Sequence, residues 1–391
     1  MVNALAANKD DSRSFFTKDH LSYRQAFREF LHKEAVPYYD QWEQEGTIPS
    51  SFWKRMGENG FLNPWLDVEF GGFGSDFAYS VVLAEELERI GSGLAAIFID
   101  SEIAARYIAS FGTMEQKHKY LPAFSSGGMK SAFALSERKV CPVLANIQTT
   151  AFKKDGYYRI NGAKTIITNG YSADLMIVAC NNDLGAGYCL DGISLLLVDK
   201  ETPGLTKGRK LVKDGKTGLE TADLFFDDAA VPVSSLLGEE GKGLSYFNQY
   251  LQQESLMCAI KFLMAAKEML HLMKIYIMDS KASNKNISQC QKTRFTLAEI
   301  ATEIQVGSTF VDDLICKHMN GDNIIEEVSM AKYWITEMSK RISDRCMQLH
   351  DGYGHRSDDK IIKRHREISE ASFHFGSNET VKKLIAHHGG F

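Results

Sequence analysis

Apolar side chains recur every three or four positions through the first part of the chain, the period of a helix with one buried face. This predicts helices over His20–His32, Ser51–Gly60 and Ala78–Ile90, the last with Leu83, Leu87 and Ile90 on one face. Leu94–Phe111 reads as a further apolar helix stopped by Gly112, and Glu115–Phe124 as another. The FGGFG run at 70–74 breaks the pattern between helices, as glycine does. Trp53 and Trp65 read as core anchors in a helix and a turn. After Ser126-Gly127-Gly128 the period shortens. Tyr157–Gly162, Leu175–Cys180, Ile193–Val198 and Thr221–Phe226 are short β-rich runs bounded by Gly, Asp and Asn, which reads as strands. Beyond Gly243 the helical period returns and holds nearly to the end. Helix, then strands, then helix predicts an α+β fold. The expected parts are an N-terminal α-helical domain over 1–128, a middle β domain over 129–240 and a C-terminal α-helical bundle over 241–391.

Leu256–Met273 is the most apolar stretch, but it carries Lys261, Lys267, Glu268 and His271. It therefore reads as a buried helix and not as a membrane span. A chain of 391 residues is long enough for two or three domains or one large unit. Its 44% hydrophobic and 24% charged content excludes a disordered, collagen-like or disulfide-dense chain. A net charge of −5 does not suit a nucleic-acid coat. The seven cysteines are odd in number and include no CxxC, so neither a disulfide framework nor a zinc site is expected. Free thiols fit a reducing compartment. The opening MVNALAANKDDSRSFF has no basic segment followed by an apolar one, so no secretory signal is read there and a cytoplasmic location is expected. The histidines show no metal spacing, and His387-His388 reads as a chance pair.

Two groups of residues point to chemistry. Glu254 shares a helix face with Leu251, Met257 and Cys258 and opens the apolar segment. A carboxylate desolvated by such neighbours has a raised pKa, which suits a general base near neutral pH. The alternative is a glutamate that merely favours the helix dipole. Lys360, Lys363, Arg364 and Arg366 form a basic cluster before the last helix. It suits either structural ion pairs or a phosphate or carrier-protein contact. Cys141 and Cys258 read as inert thiols near the same region.

Longer segments carry a resemblance. They are GFLNPWLDVEFGGFGSD at 60–76, FGTMEQKHKYLPAFSSG at 111–127 and FALSE at 133–137. DGYYRINGAKTIITNGYSADLMIV at 155–178 and DGKTGLETADLFFDDAAVPVSSLLGEEGKG at 214–243 follow. In this order they resemble the acyl-CoA dehydrogenase family over nearly the whole chain. The resemblance implies a β-barrel middle domain, a C-terminal four-helix bundle and FAD as cofactor. On the matching positions the flavin contacts are Phe133, Leu135, Ser136, Ile166 and Thr168, with Gln348, Gly352 and Ser377 nearer the phosphates.

The chain departs from the family pattern in places. SERKVCPVL at 136–144 stands where TEPxAGSD is usual, with Cys141 and Pro142 for Gly and Ser. DSKASNK at 279–285 replaces R-x-QFG, so Ser280, Ala282 and Ser283 stand where a phosphate-binding arginine segment belongs. Asp351 puts a negative charge beside Gly352. Phe375 occupies the place of the usual C-terminal glutamate; only its backbone N–H remains to meet a thioester carbonyl. A minority of the family carries the base in an L-x-x-E-R pattern on the first helix of the bundle, and Leu251–Ser255 matches it with Glu254 as base. Lys363 and Arg366-Glu367 match a structural R-x-x-RD segment.

The expected function is FAD-dependent α,β-dehydrogenation of an acyl thioester, carried by CoA or an acyl carrier protein, in a specialised biosynthetic setting. The expected partners are an electron acceptor, either a flavoprotein or oxygen, and further copies of the chain in a homodimer or homotetramer. The alternative is a non-redox protein of the same fold that binds an acyl thioester or a partner.

Overall fold

The computed structural model describes residues 13–138, 147–182, 192–211, 220–282, 289–350, 359–374 and 376–390. The first part is helical: α1 (Lys18–Glu34), α2 (Tyr39–Glu45), α3 (Ser50–Glu58), α4 (Phe77–Ile90), α5 (Ser92–Phe111) and α6 (Met114–Ser125). Local chemistry sets where several of these begin. Thr113 caps α6 by accepting the Gln116 N–H, and the Gln116 side chain accepts the Thr113 N–H in return. Two backbone donors that a helix start leaves orphaned are thus satisfied. The expected helices are present. α2 was not predicted: it is seven residues long and buries only Trp42, too little for a period to show. Trp53 is buried as expected, whereas Trp65 is only half-buried and lies under the Arg106 guanidinium, 4.1 Å from its ring.

The middle part has β1 (Ser131–Ala134), β2 (Thr150–Lys154), β3 (Tyr157–Ile167), β4 (Leu175–Asn181), β5 (Ile193–Asp199), β6 (Leu205–Lys210), β7 (Ala222–Pro232) and β8 (Leu236–Leu237). They form one sheet in the order β6-β7-β3-β2-β4-β5-β8, with β1 parallel to β4. The expected barrel is corrected to a sheet: among the described residues no pairing joins β6 to β8. β4 and β5 are buried on both faces, which explains their unbroken apolar runs. Their alternate side chains feed two cores. Ile177, Ala179, Leu195 and Leu197 pack with the helices, while Met176, Val178, Leu196 and Val198 share a core with Tyr158, Ile160 and Leu224. β6 reads LTKGRK and has no apolar pattern; its pairing with β7 makes it a strand.

The last part has α7 (Gly243–Ala282), α8 (Gln291–Met319), α9 (Ile325–Leu349), α10 (Lys360–Ser369) and α11 (Asn378–His388). α7, α8 and α9 pack on one another, α10 and α11 pack on α9, and α7 also packs on α4 of the first part. Among the described residues no helix is long and apolar enough to cross a membrane.

A buried ion cluster fastens the first part to the last. Glu88 of α4 meets Lys261 of α7 at 3.3 Å and also Arg364 of α10. Arg364 in turn holds Glu367 at 3.0 Å. Lys363 reaches Asp40 and Glu43 of α2. Part of the basic cluster is therefore structural, and Arg364, not Lys363, is its buried member.

His318, near the end of α8, packs edge-on against Phe77 at 4.6 Å. Its Nδ1 accepts from the Gln252 side-chain amide at 3.1 Å. Burial, helped by the Arg106 charge, lowers its pKa to about 4. A histidine with a depressed folded pKa binds fewer protons folded than unfolded. Its contribution is complete above the unfolded value of about 6.5 and is lost as pH falls toward 4. The loss is on the order of 3 kcal/mol. His318→Gln should therefore flatten the dependence of the thermal midpoint on pH between 6.5 and 4, and an unchanged slope would refute this assignment.

Candidate active site

Glu254 sits half-buried on α7. Phe247, Tyr250, Glu254 and Cys258 recur there at spacings of three and four, so they share one helix face. Tyr107 of α5 reaches this face and donates its hydroxyl to Glu254 Oε1 at 3.1 Å. The Tyr107 ring lies 4.9 Å from Phe133 of β1, 5.0 Å from Tyr250 and 6.0 Å from Phe247. One element from each of the three parts thus meets around the Tyr107 ring that holds the carboxylate. Burial and then the negative charge of Glu254 raise the Tyr107 pKa well above its ordinary value. The phenol therefore stays protonated and can only act as donor at working pH.

Lys332 of α9 is also buried here. Its Nζ donates to the Gly376 carbonyl at 3.1 Å, and Cys258 Sγ donates to the His374 carbonyl at 3.8 Å. Burial lowers the Lys332 pKa against the opposing influence of Cys258 and Glu254. Phe375 itself lies outside the described residues. Its neighbours on both sides are held by the α7 and α9 side chains that surround Glu254. His374 and Gly376 are therefore both tied to side chains of the helices that pack around Glu254. Cys258 is buried, as expected of an inert thiol, and Cys141 lies outside the described residues.

The expected flavin contacts fall into two groups. The first lies where the end of β1 meets the end of β3, joined by Thr165 N–H donating to the Ser136 carbonyl at 2.9 Å. Phe133 and Leu135 are half-buried, Ser136 is exposed and Thr168 is half-buried. Ile166 is 55% exposed and adopts φ of 57°, a conformation that costs a β-branched residue. Its N–H donates to Asp223 Oδ1 at 3.0 Å, which helps hold the turn. Apolar surface beside two hydroxyls fits a flat ring with an amide-like edge, so this donor set fits the flavin of FAD. The second group is not brought together in the same way. Gln348 is exposed in the last turn of α9, and Gly352 lies outside the described residues. Ser377 caps α11, where its hydroxyl accepts the Thr380 N–H. Ser280 and Ala282 lie in the last turn of α7, and Ser283, Asp351 and Pro142 are outside the described residues.

Glu137, the acid of the FALSE segment, is committed elsewhere. It pairs with the fully buried Lys164 at 2.7 Å and accepts the N–H groups of Gln148 and Thr149. Burial opposes its ionisation, but Lys164 and these donors hold it below the usual carboxylate range. It is a structural acid that pins one side of the loop after β1. Among the described residues no cluster of His, Cys, Asp and Glu could hold a metal ion.

Sequence reasoning missed Tyr107 and Lys332. Lys332 had a signal: it follows Val328 by one turn on the apolar face shared with Ala331 and Ile335. Tyr107 had none, because an aromatic residue in an apolar helix looks like core.

Residues 17–128, 132–229 and 241–390 match, respectively, the N-terminal, middle and C-terminal domains of acyl-CoA dehydrogenase. The chain belongs to the acyl-CoA dehydrogenase family. It is 34% identical to the mitochondrial long-chain specific acyl-CoA dehydrogenase of Rattus norvegicus, over 96% of this chain and 87% of the relative. The crystal structure of an acyl-CoA dehydrogenase from Geobacillus kaustophilus superposes with a TM-score of 0.94 at 50% identity, covering 97% of this chain and 100% of that one. A chain in a structure described as the electron transferring flavoprotein of Acidaminococcus fermentans gives 0.90 at 28% identity, over 96% and 99%. Membership places the chain among FAD-dependent oxidoreductases that act on the CH–CH bond of an acyl thioester, and the non-redox alternative is not favoured.

Proposed function

We propose that this protein oxidises the α,β bond of an acyl-CoA with Glu254 as the general base. The observation that carries this reading is the carboxylate held at 3.1 Å by Tyr107 where the three parts of the chain meet. Phe133, Phe247 and Tyr250 limit water there. A carboxylate in such a place abstracts a weakly acidic proton more readily than one in bulk water. The Phe375 N–H is the donor for the thioester carbonyl, whose polarisation makes the α-proton more acidic. FAD, when bound, supplies the acceptor for the β-hydrogen as hydride. Phe133, Leu135, Ser136, Ile166 and Thr168 would hold the ring, and Gln348, Gly352 and Ser377 would serve the rest of the cofactor.

The similarity to acyl-CoA enzymes favours CoA over an acyl carrier protein, and the Acidaminococcus relative favours a flavoprotein over oxygen as electron acceptor. Phe295 and Val306 of α8 are more than half exposed, which supports burial against another copy in a homodimer or homotetramer. The domain limits 1–128, 129–240 and 241–391 follow the switches in structure between Ser125 and Ser131 and between Leu237 and Gly243. A cytoplasmic location is part of the same reading.

The test is an anaerobic titration of the FAD-loaded protein with saturated acyl-CoA thioesters of increasing chain length. Loss of the oxidised flavin band with formation of the 2-enoyl thioester is the expected result. A spectrum unmoved by every thioester would overturn the assignment.

A further inference from the structure

The contact between Tyr107 and Glu254 joins residues 147 positions apart, and its chemistry is asymmetric. The phenol is fully buried and stays neutral, so toward the ionised carboxylate it is the donor. Its ring is clamped by Phe133 of β1 and by Phe247 and Tyr250 of α7, which leaves the hydroxyl little freedom to turn away. Among the described residues, the other ionisable groups near Glu254 include Tyr250 and Cys258 on its own helix and Lys332 on α9. Tyr250 Oη is paired with Ser110 Oγ at 2.5 Å. Cys258 and Lys332 are turned to the backbone carbonyls of His374 and Gly376. Tyr107 donates a hydrogen bond directly to Glu254, and Lys332 acts on it through its charge.

We propose that Tyr107 is a positioning residue that fixes the Glu254 carboxylate and holds it ionised, so that the first helical domain sets the pH at which the enzyme acquires its base. The proposal rests on Glu254 being that base. A neutral donor stabilises the anion over the acid, because the protonated carboxyl is the poorer acceptor. It also restrains rotation of the carboxylate without itself ionising.

Tyr107→Phe in the FAD-loaded enzyme removes one oxygen and keeps the ring. The acidic limb of kcat/KM against pH for a thioester that reduces the wild-type flavin is expected to move up by about one unit, since a hydrogen bond to a charged group is of that order. Below the limb the rate should fall about tenfold, with the change in kcat and with KM nearly constant. Flavin content and the visible spectrum should not change. A limb that stays in place while the spectrum is unaltered overturns the proposal, and so does a change confined to KM. Glu254→Gln, measured alongside, separates the two readings. If it removes the acidic limb and the rate while Tyr107→Phe moves nothing, only the role of Tyr107 fails. If it retains both, the assignment of the base fails first.

Discussion

Glu254→Gln is expected to slow reduction of the bound flavin by acyl-CoA by about 10²–10⁴-fold, the usual worth of a positioned general base. The amide has the shape of the carboxylate and still accepts from the Tyr107 hydroxyl, so flavin and product-analogue binding should change little. The loss should therefore appear in the single-turnover rate and not in affinity. Adding Phe375→Glu should restore part of the rate. His374 and Gly376, on either side of that position, are tied to α7 and α9 through the Cys258 and Lys332 contacts, and the resemblance to the family puts its usual base between them. A single-turnover rate unchanged in Glu254→Gln would remove this residue from the mechanism.

The second large effect is structural. Glu88 is fully buried between Lys261, also fully buried, and Arg364. Glu88→Ala leaves both cations in a dry interior without their shared anion. Breaking a buried pair from one side typically costs about 3–5 kcal/mol, because the surviving charge stays desolvated. The three residues come from α4, α7 and α10, so the cost falls on the junction between the first and last parts. A drop of several degrees in the thermal midpoint of the FAD-loaded protein is expected. Removal of the exposed Glu379–Lys382 pair of α11 should leave the midpoint where it was, since such pairs are screened by water. Equal responses from the two variants would show that burial is not what makes Glu88 important.

The basic cluster shows how far local pattern carries. Its sequence promised ion pairs before the last helix, and the structure supplies them. It did not show that Arg364 is the buried member, because partners 276 residues away on α4 leave no mark on the local period. The Glu254 region divides the same way. The helix face and its apolar surroundings are local and follow from spacing, while the missing glutamate at 375 follows from the resemblance to the family. The donors and neighbours that define the carboxylate's environment come from α5, β1 and α9, and their convergence on Glu254 was not visible.

The sequence by itself determined the succession of helices, strands and helices, because side-chain burial imposes a period of 3.6 or 2 on each element wherever it ends up. It also determined the candidate base, since Glu254 interrupts an apolar face. Tertiary structure alone decided that the strands form a sheet and not a barrel, that the polar run of β6 is a strand, and that Tyr107 and Lys332 come together with Glu254. Each of these depends on which distant segments touch, and that is set by packing across the whole chain, not by the pattern within any one element.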